Sequence, residues 1–105
     1  MNPIEIFEQM RDKVASNPGL VDEVNAIFQF DVSGDDGGSW LVDLRNAPGS
    51  VAQGKSDEAD CVVSVAQKDL AGIMDGSVDP QMAFMMGRIK VAGNFMLATK
   101  LKALM

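Results

Sequence analysis

Apolar and polar residues alternate with a period of two through the middle of the chain, which predicts β-strands with one dry face. The stretches that show this alternation are 26–32, 40–45, 50–53, 61–65 and 88–92. A glycine-rich turn at 34–38 and a second turn at 46–49 separate the first three stretches. Because both links have hairpin length, the first three strands are predicted to be antiparallel.

The flanks of the chain show helical spacing instead. Ile6, Met10 and Val14 share one face of a helix that Asn2 can cap and Pro3 can begin. Further helical segments are predicted over 20–25, 67–75, 80–87 and 94–105. Strands in the middle and helices at the flanks indicate one α+β domain, residues 1–105, with a mainly antiparallel sheet and helices on one face.

The last quarter of the chain is rich in methionine. Residues 79–105 hold five of the eight methionines and two of the five phenylalanines. Methionine is unbranched and polarizable, so such a segment can form an adaptable wall of a ligand pocket. It can equally form an ordinary packed core, and the residues alone favour the core, since apolar stripes at helical spacing usually pack against another element.

Composition and charge exclude several functional classes. A net charge of −6 argues against nucleic-acid binding, which needs clustered basic residues. Lys90, Lys100 and Lys102 make the C-terminal end locally basic, which fits either contact with lipid headgroups or a solvated face at a helix end. No membrane-spanning run or signal peptide is found, so a cytoplasmic location is expected. The single cysteine, Cys61, leaves no intrachain disulfide, in keeping with a reducing compartment.

Residues typical of catalysis are scarce. The chain has no histidine and no tyrosine, and Cys61 lies in an apolar run that predicts a buried thiol. No pair of carboxylates at catalytic spacing is evident. Asp35 and Asp36 lie in a glycine-rich turn but lack the ligand ladder of a calcium loop. The sequence therefore predicts no catalytic residue, no metal site and no cofactor.

Several short motifs resemble one family when they are taken in order. They are WLVDL at 40–44, PGSV at 48–51, EADC at 58–61, DPQMAF at 79–84, GRIKVAGN at 87–94 and the Lys100-Leu101 pair. Their order and spacing resemble the sterol carrier protein type 2, or nonspecific lipid-transfer, domain over about residues 24–105. The resemblance implies a five-stranded sheet, an apolar tunnel between sheet and helices, and no catalytic residue. The expected ligand is a fatty acid, acyl-CoA, phospholipid or sterol.

With this resemblance, the methionine-rich segment is interpreted as a cavity wall. The candidate lining combines Phe28, Phe30, Trp40 and Val42 from the strands with Ile73, Met74, Met82, Phe84, Met85, Phe95, Leu97, Leu101 and Leu104 from the helices. Gln81 occupies the family's Pro-Gln-x-Ala-Phe position, where it can hydrogen-bond a ligand head. The alternative for Gln81 is a solvent-facing second residue of a helix.

The leading hypothesis is a carrier, monomeric or weakly dimeric, that binds lipid when its C-terminal helix lifts and touches membranes transiently. An interaction module in lipid or quinone metabolism, whose groove accepts a partner or a second copy, is the alternative. A third hypothesis is a hydrolase of acyl-thioesters that uses Cys61. The chain departs from many family members in ending without a Ser-Lys-Leu type peroxisomal address and in its acidic balance.

Overall fold

A computed structural model describes residues 2–46, 49–94, 96–97 and 100. The elements in chain order are α1 (Pro3–Ser16), α2 (Gly19–Val24), β1 (Ile27–Ser33), β2 (Gly38–Asp43), β3 (Ser50–Gln53), β4 (Cys61–Ala66), α3 (Gln67–Asp75), α4 (Pro80–Met85) and β5 (Ile89–Gly93). None of the helices in this part of the chain has the length and apolar character needed to cross a bilayer.

The five strands form one sheet in the order β3-β2-β1-β4-β5. The pairs β1–β2, β2–β3 and β4–β5 are antiparallel, and the pair β1–β4 is parallel. The parallel pair arises because the chain leaves the edge strand β3 and crosses to the far side of β1 before β4 begins. The α+β class and the mainly antiparallel sheet predicted from the sequence are thus confirmed, with one parallel pairing in a mixed sheet.

The inner face of the sheet carries the apolar half of each alternating strand. Phe28 lies opposite Val42 on one side and Cys61 on the other, and Phe30 lies opposite Trp40 in β2. All five of these side chains are buried. Because residues two apart share a face, this register collects the alternating residues of separate strands into one apolar surface that the helices cover.

Helix α1 fills one end of this surface. Ile6, Met10 and Val14, with Phe7 beside them, are at most 3% exposed. The Phe7 ring stacks on Trp40 with 4.7 Å between centroids. The same ring meets Phe30 edge to face at 5.4 Å. The spacing of apolar residues along the helix therefore identified the face that packs on the sheet.

The predicted helix starts are confirmed by side-chain capping. The Asn2 side chain accepts a hydrogen bond from the Glu5 N–H at 2.9 Å. Asp79 Oδ1 accepts one from the Gln81 N–H at 2.8 Å. Asn94 Oδ1 accepts one from the Met96 N–H at 3.1 Å, while most of the final helix predicted from the sequence lies outside the described residues.

Gly93 ends β5 where its backbone passes very close to the start of β4. Its φ is +89°, and a Cβ added there would lie 2.6 Å from the Asp60 carbonyl oxygen. The two segments cannot separate freely, because that oxygen accepts the Asn94 N–H at 2.8 Å. Gly93→Ala is therefore expected to lower the free energy of unfolding, measured by urea denaturation, by about 2–4 kcal/mol.

Gly87→Ala is the matched control for that variant. Gly87 has a similar φ of +78°, but nothing lies within 4 Å of its added Cβ. Gly87→Ala is expected to lower the free energy of unfolding only by the cost of placing alanine in a left-handed backbone conformation, about 1–2 kcal/mol. Equal losses in the two variants would show that close packing against Asp60 contributes nothing.

Candidate functional site

Exposed large apolar side chains are most frequent on α4 and its C-cap in the described part of the chain. Among the described residues, the large apolar side chains that are more than half exposed are Ile4, Met82, Met85, Met86 and Met96. Met82, Met85 and Met86 have helical spacing of three and four residues and so share one face of α4, continued by its C-cap residue. We call these three side chains the methionine face.

Half-buried apolar residues extend the core towards the surface. Met74 at the end of α3, Phe84 in α4 and Val91 in β5 are partly exposed and pack against the buried cluster. Val91 lies opposite Val63 of β4, which is 1% exposed. Apolar surface thus continues from the dry interior, through half-buried side chains, to solvent.

The short helix α4 is seated on the sheet through its smallest apolar residue. Ala83 is 1% exposed, whereas the residues on either side of it, Met82 and Phe84, are exposed and half-buried. The Ala83 carbonyl also accepts the Arg88 N–H at 2.8 Å, which ties the helix to the start of β5. Alanine at the contact lets the helix approach the sheet closely, while Phe84 packs partly against the core and the methionine face remains exposed.

The structure divides the predicted lining residues into four groups. Buried in the core are Phe28, Phe30, Trp40, Val42, Ile73 and Leu97. Half-buried are Met74 and Phe84, and exposed are Gln81, Met82 and Met85. Phe95, Leu101 and Leu104 lie outside the described residues. The exposed Gln81 side chain fits the solvent-facing alternative, and its contact with a ligand stays a prediction.

Asp60 lies just before β4 and bonds to residues near the ends of three other strands, β1, β2 and β5. Its Oδ2 accepts the Ile27 N–H at 2.9 Å and forms an ion pair with Arg45. Its own N–H donates to the Ile27 carbonyl at 2.8 Å, and its carbonyl accepts from Asn94. Asp60 belongs to the EADC motif, but its role could not be predicted, because its partners are far away along the chain.

The predicted basic C-terminal end is divided in the structure. Lys90 projects from the outer face of β5, as its place between the inward-facing Ile89 and Val91 requires. The Lys100 Nζ donates a hydrogen bond to the Glu23 carbonyl at 2.8 Å, at the end of α2. Lys102 lies outside the described residues. The cations that are neighbours in the sequence therefore do not form one patch in the described part of the chain.

Cys61 has the environment of a structural residue. Its side chain is fully buried on the inner face of β4. Burial raises the pKa of the thiol, and the neighbouring Asp60 carboxylate raises it further. A protonated thiol is a poor nucleophile, so the structure weighs against the hydrolase hypothesis that depended on Cys61.

The raised pKa of Cys61 predicts a loss of stability in alkali. The folded chain keeps the thiol proton at pH values above the ordinary value of 9.0, where the unfolded chain has released it. The free energy of unfolding should therefore fall as pH rises through that value. Urea unfolding from about pH 7 to about pH 10 should show a steeper fall for the native sequence than for Cys61→Ala. Parallel pH profiles would contradict this assignment.

Comparison with known proteins gives matches over nearly the whole chain. A sequence model described as the SCP-2 sterol transfer family matches residues 7–105. Hydroxysteroid dehydrogenase-like protein 2 from Rattus norvegicus is 41% identical over 102 residues, which are 96% of this chain and 19% of that protein. The chain thus spans about a fifth of the length of this relative.

Two solved structures share the fold. Sterol Carrier Protein 2 from Yarrowia lipolytica, in its apo form, has a TM-score of 0.81 at 29% identity, over 94% of this chain and 85% of its own. Palmitated SCP2L2 from Aedes aegypti has a TM-score of 0.81 at 26% identity, over 97% of this chain and 92% of its own. The sheet and helices described above are therefore similar to those of both proteins.

Proposed function

The chain belongs to the SCP-2 sterol transfer family, and on that basis we propose that it is a carrier of a fatty acid or another single lipid. The lipid lies between the inner face of the sheet and the helices. The observation that carries the proposal is the buried apolar core that the half-buried Met74, Phe84 and Val91 extend towards solvent, with the exposed methionine face on the same helix as Phe84. A lipid carrier needs both a dry interior and an apolar route to it. The palmitated form of the similar Aedes aegypti protein supports an acyl chain as ligand.

The energetics of an acyl chain explain why a carrier is useful. Burial of the roughly 15 apolar carbons of a palmitate-length chain at about 0.8 kcal/mol each gives about 12 kcal/mol. Immobilising the ligand and ordering side chains costs about 4 kcal/mol or more. The remainder corresponds to a dissociation constant near 1 μM. Release into water is therefore slow and unfavourable, and unloading requires an apolar acceptor such as a membrane.

We propose that the chain carries its ligand without transforming it. The family match concerns the lipid-carrier domain, and the dehydrogenase-like name belongs to a relative of which this chain matches about a fifth. The protonated Cys61 supports carriage over catalysis.

The composition, 47% hydrophobic and 23% charged, is typical of a globular domain. We place the carrier in the cytoplasm, as a monomer or weak dimer.

The methionine face is the proposed site of transient membrane contact. Met85 is 73% exposed and Met86 is 61% exposed, so both can enter a lipid surface without unfolding. Replacing both with glutamine keeps their length and removes their apolar character. Transfer of a fluorescent fatty acid out of phosphatidylcholine vesicles should then slow by about tenfold, while affinity for the same fatty acid in solution is unchanged.

Ile4→Gln is the control for the methionine variant. Ile4 is 62% exposed on α1 and does not belong to the methionine face. Its replacement should leave the transfer rate unchanged. Equal rates in the methionine variant and the native protein would mean that exchange uses a different surface, whereas loss of binding in solution would implicate the ligand site itself.

A further inference from the structure

The outer face of the sheet, opposite the helices, carries an open cleft of about 570 Å³. The pairing of the strands places four of its lining residues in one row across four strands. Ser39 lies opposite Asp31, Asp31 lies opposite Ser64 on the other side, and Ser64 lies opposite Lys90. We call this cleft, with its lining residues, the outer cleft.

Short side chains make the outer cleft hollow. Besides the row just described, its lining includes Ser33, Gly38, Ala66 and Gly87. None of these four residues has a side chain longer than the hydroxymethyl group of serine. The surface of the sheet is therefore left uncovered there. Serine hydroxyl groups and charged side chains therefore lie beside small apolar residues in this depression.

A fixed carboxylate lies in the outer cleft. Asp31 Oδ1 accepts hydrogen bonds from Gln29 Nε2 at 3.0 Å and from Ser39 Oγ at 2.8 Å. Gln29 is itself buried, so this arrangement is held in place. Both bonds use the same oxygen, and Asp31 Oδ2 has no hydrogen-bond partner among the described residues. The second oxygen can accept a hydrogen from a ligand.

Lys55, Arg88 and Lys90 also line the outer cleft. These are three of nine basic residues in a chain of net charge −6. The Arg88 side chain is 48% exposed, and its guanidinium forms an ion pair with Asp69 at 3.8 Å, a long contact to which an added anion can be joined. Three cations against two carboxylates, Asp31 in the outer cleft and Asp69 beside Arg88, leave a small positive balance in an otherwise acidic protein.

Lys55 is placed by a segment that is fastened on both sides. The Gly54 N–H donates to the Ser39 carbonyl at 2.9 Å. The Ser56 N–H donates to Gln29 Oε1 at 3.1 Å. The Gln29 amide therefore holds the Asp31 carboxylate through its nitrogen and the loop that carries Lys55 through its oxygen.

We propose that the outer cleft binds a phosphorylated polyol. The phosphate pairs with Lys55, Arg88 and Lys90, and a hydroxyl of the same molecule donates to Asp31 Oδ2. Asp31 would repel an anion that offers no donor, and the cations would gain little from a neutral polyol. Glycerol phosphate has both groups, either free or as the headgroup of a phospholipid. This site lies across the sheet from the proposed lipid site and does not depend on it.

Amide NMR shifts of the full chain test the proposal with two soluble probes, glycerol 3-phosphate and inorganic phosphate. At roughly 10 mM a millimolar site is mostly filled. Shifts should centre on Ser39, Gly54 and Lys90, and glycerol 3-phosphate should bind more tightly. A third arm uses phosphatidylcholine vesicles with and without phosphatidylglycerol. Shifts at the same amides only with phosphatidylglycerol would support the proposal and identify the headgroup as the source.

Two variants separate ligand binding from a purely structural network. Lys90→Ala should weaken glycerol 3-phosphate binding by about three- to tenfold, while Lys68→Ala, an exposed lysine outside the outer cleft, should not. Asp31→Asn can still accept from Gln29 and Ser39 but loses the free carboxylate oxygen. It should remove the preference for glycerol 3-phosphate over phosphate. An unchanged preference, or no shifts in any of the three arms, would overturn the proposal.

Discussion

The Phe30→Ala variant is expected to lose about 3–5 kcal/mol of unfolding free energy, the largest stability effect predicted for this chain. Phe30 is fully buried on the central strand β1. Its ring contacts Phe7 edge to face at 5.4 Å and lies 6.3 Å from Phe28. Its removal leaves a cavity between strand and helix that neighbours on a rigid sheet cannot close. Urea denaturation gives the value.

Ile4→Ala is the control for Phe30→Ala. Ile4 is 62% exposed, so its truncation should change stability by no more than about 0.5 kcal/mol. The Phe30 result also bears on the ligand site, because Phe30 belongs to the predicted lining. A loss below about 1 kcal/mol would show that its ring borders open space rather than the packed cluster with Phe7.

The Met74→Glu variant is expected to lower affinity for a fatty acid by at least about tenfold. Met74 is half-buried at the end of α3 and packs against the core. A carboxylate there introduces charge into the proposed apolar route and repels the carboxylate of the ligand. Because Met74 is partly exposed, the domain should remain folded. Displacement of a fluorescent fatty acid measures affinity, and circular dichroism checks the fold.

Ile4→Glu makes the same change of an apolar side chain to a carboxylate on α1, away from that route. It should bind fatty acid as the native chain does. Equal weakening in both variants would indicate a general effect of added negative charge. Full affinity in Met74→Glu would remove Met74 from the lining and would move the ligand route away from the end of α3.

Element boundaries were predictable where turn residues enclose a short pattern. The strand at 50–53 and the helix at 67–75 were predicted with the bounds that the structure shows. The second strand was predicted to start at Trp40, but β2 starts at Gly38. Gly38 was predicted to belong to the turn and Ser39 was assigned to neither turn nor strand, yet the two residues pair with Val32 and Asp31. Glycine permits a turn but does not prevent strand pairing when the neighbouring strand is in place.

The orientation of α4 could not be predicted from its sequence. Residues 82–86 are all apolar, so helical periodicity offers no polar face to distinguish inside from outside. The structure packs Ala83 inward and exposes Met82 and Met85. Steric fit of a short helix against β5 decides this arrangement, and a hydrophobic pattern does not contain that information.

The polar network of the outer cleft was missed for a different reason. Alternation shows that Gln29 and Asp31 share the face opposite Phe28 and Phe30. Such polar positions ordinarily face water. Here Gln29 is buried, and the loop between β3 and β4 that crosses the sheet bonds to it through Ser56. The crossing depends on strand order, which local spacing does not specify.

Native mass spectrometry of freshly purified protein, followed by organic extraction, tests the carrier function most directly. We expect one lipid per chain, released on extraction as a fatty acid or phospholipid. A bare protein mass that persists after incubation with fatty acids, acyl-CoA and sterols would contradict it. That result would mean a filled core and would favour an interaction module that uses the methionine face for a protein partner.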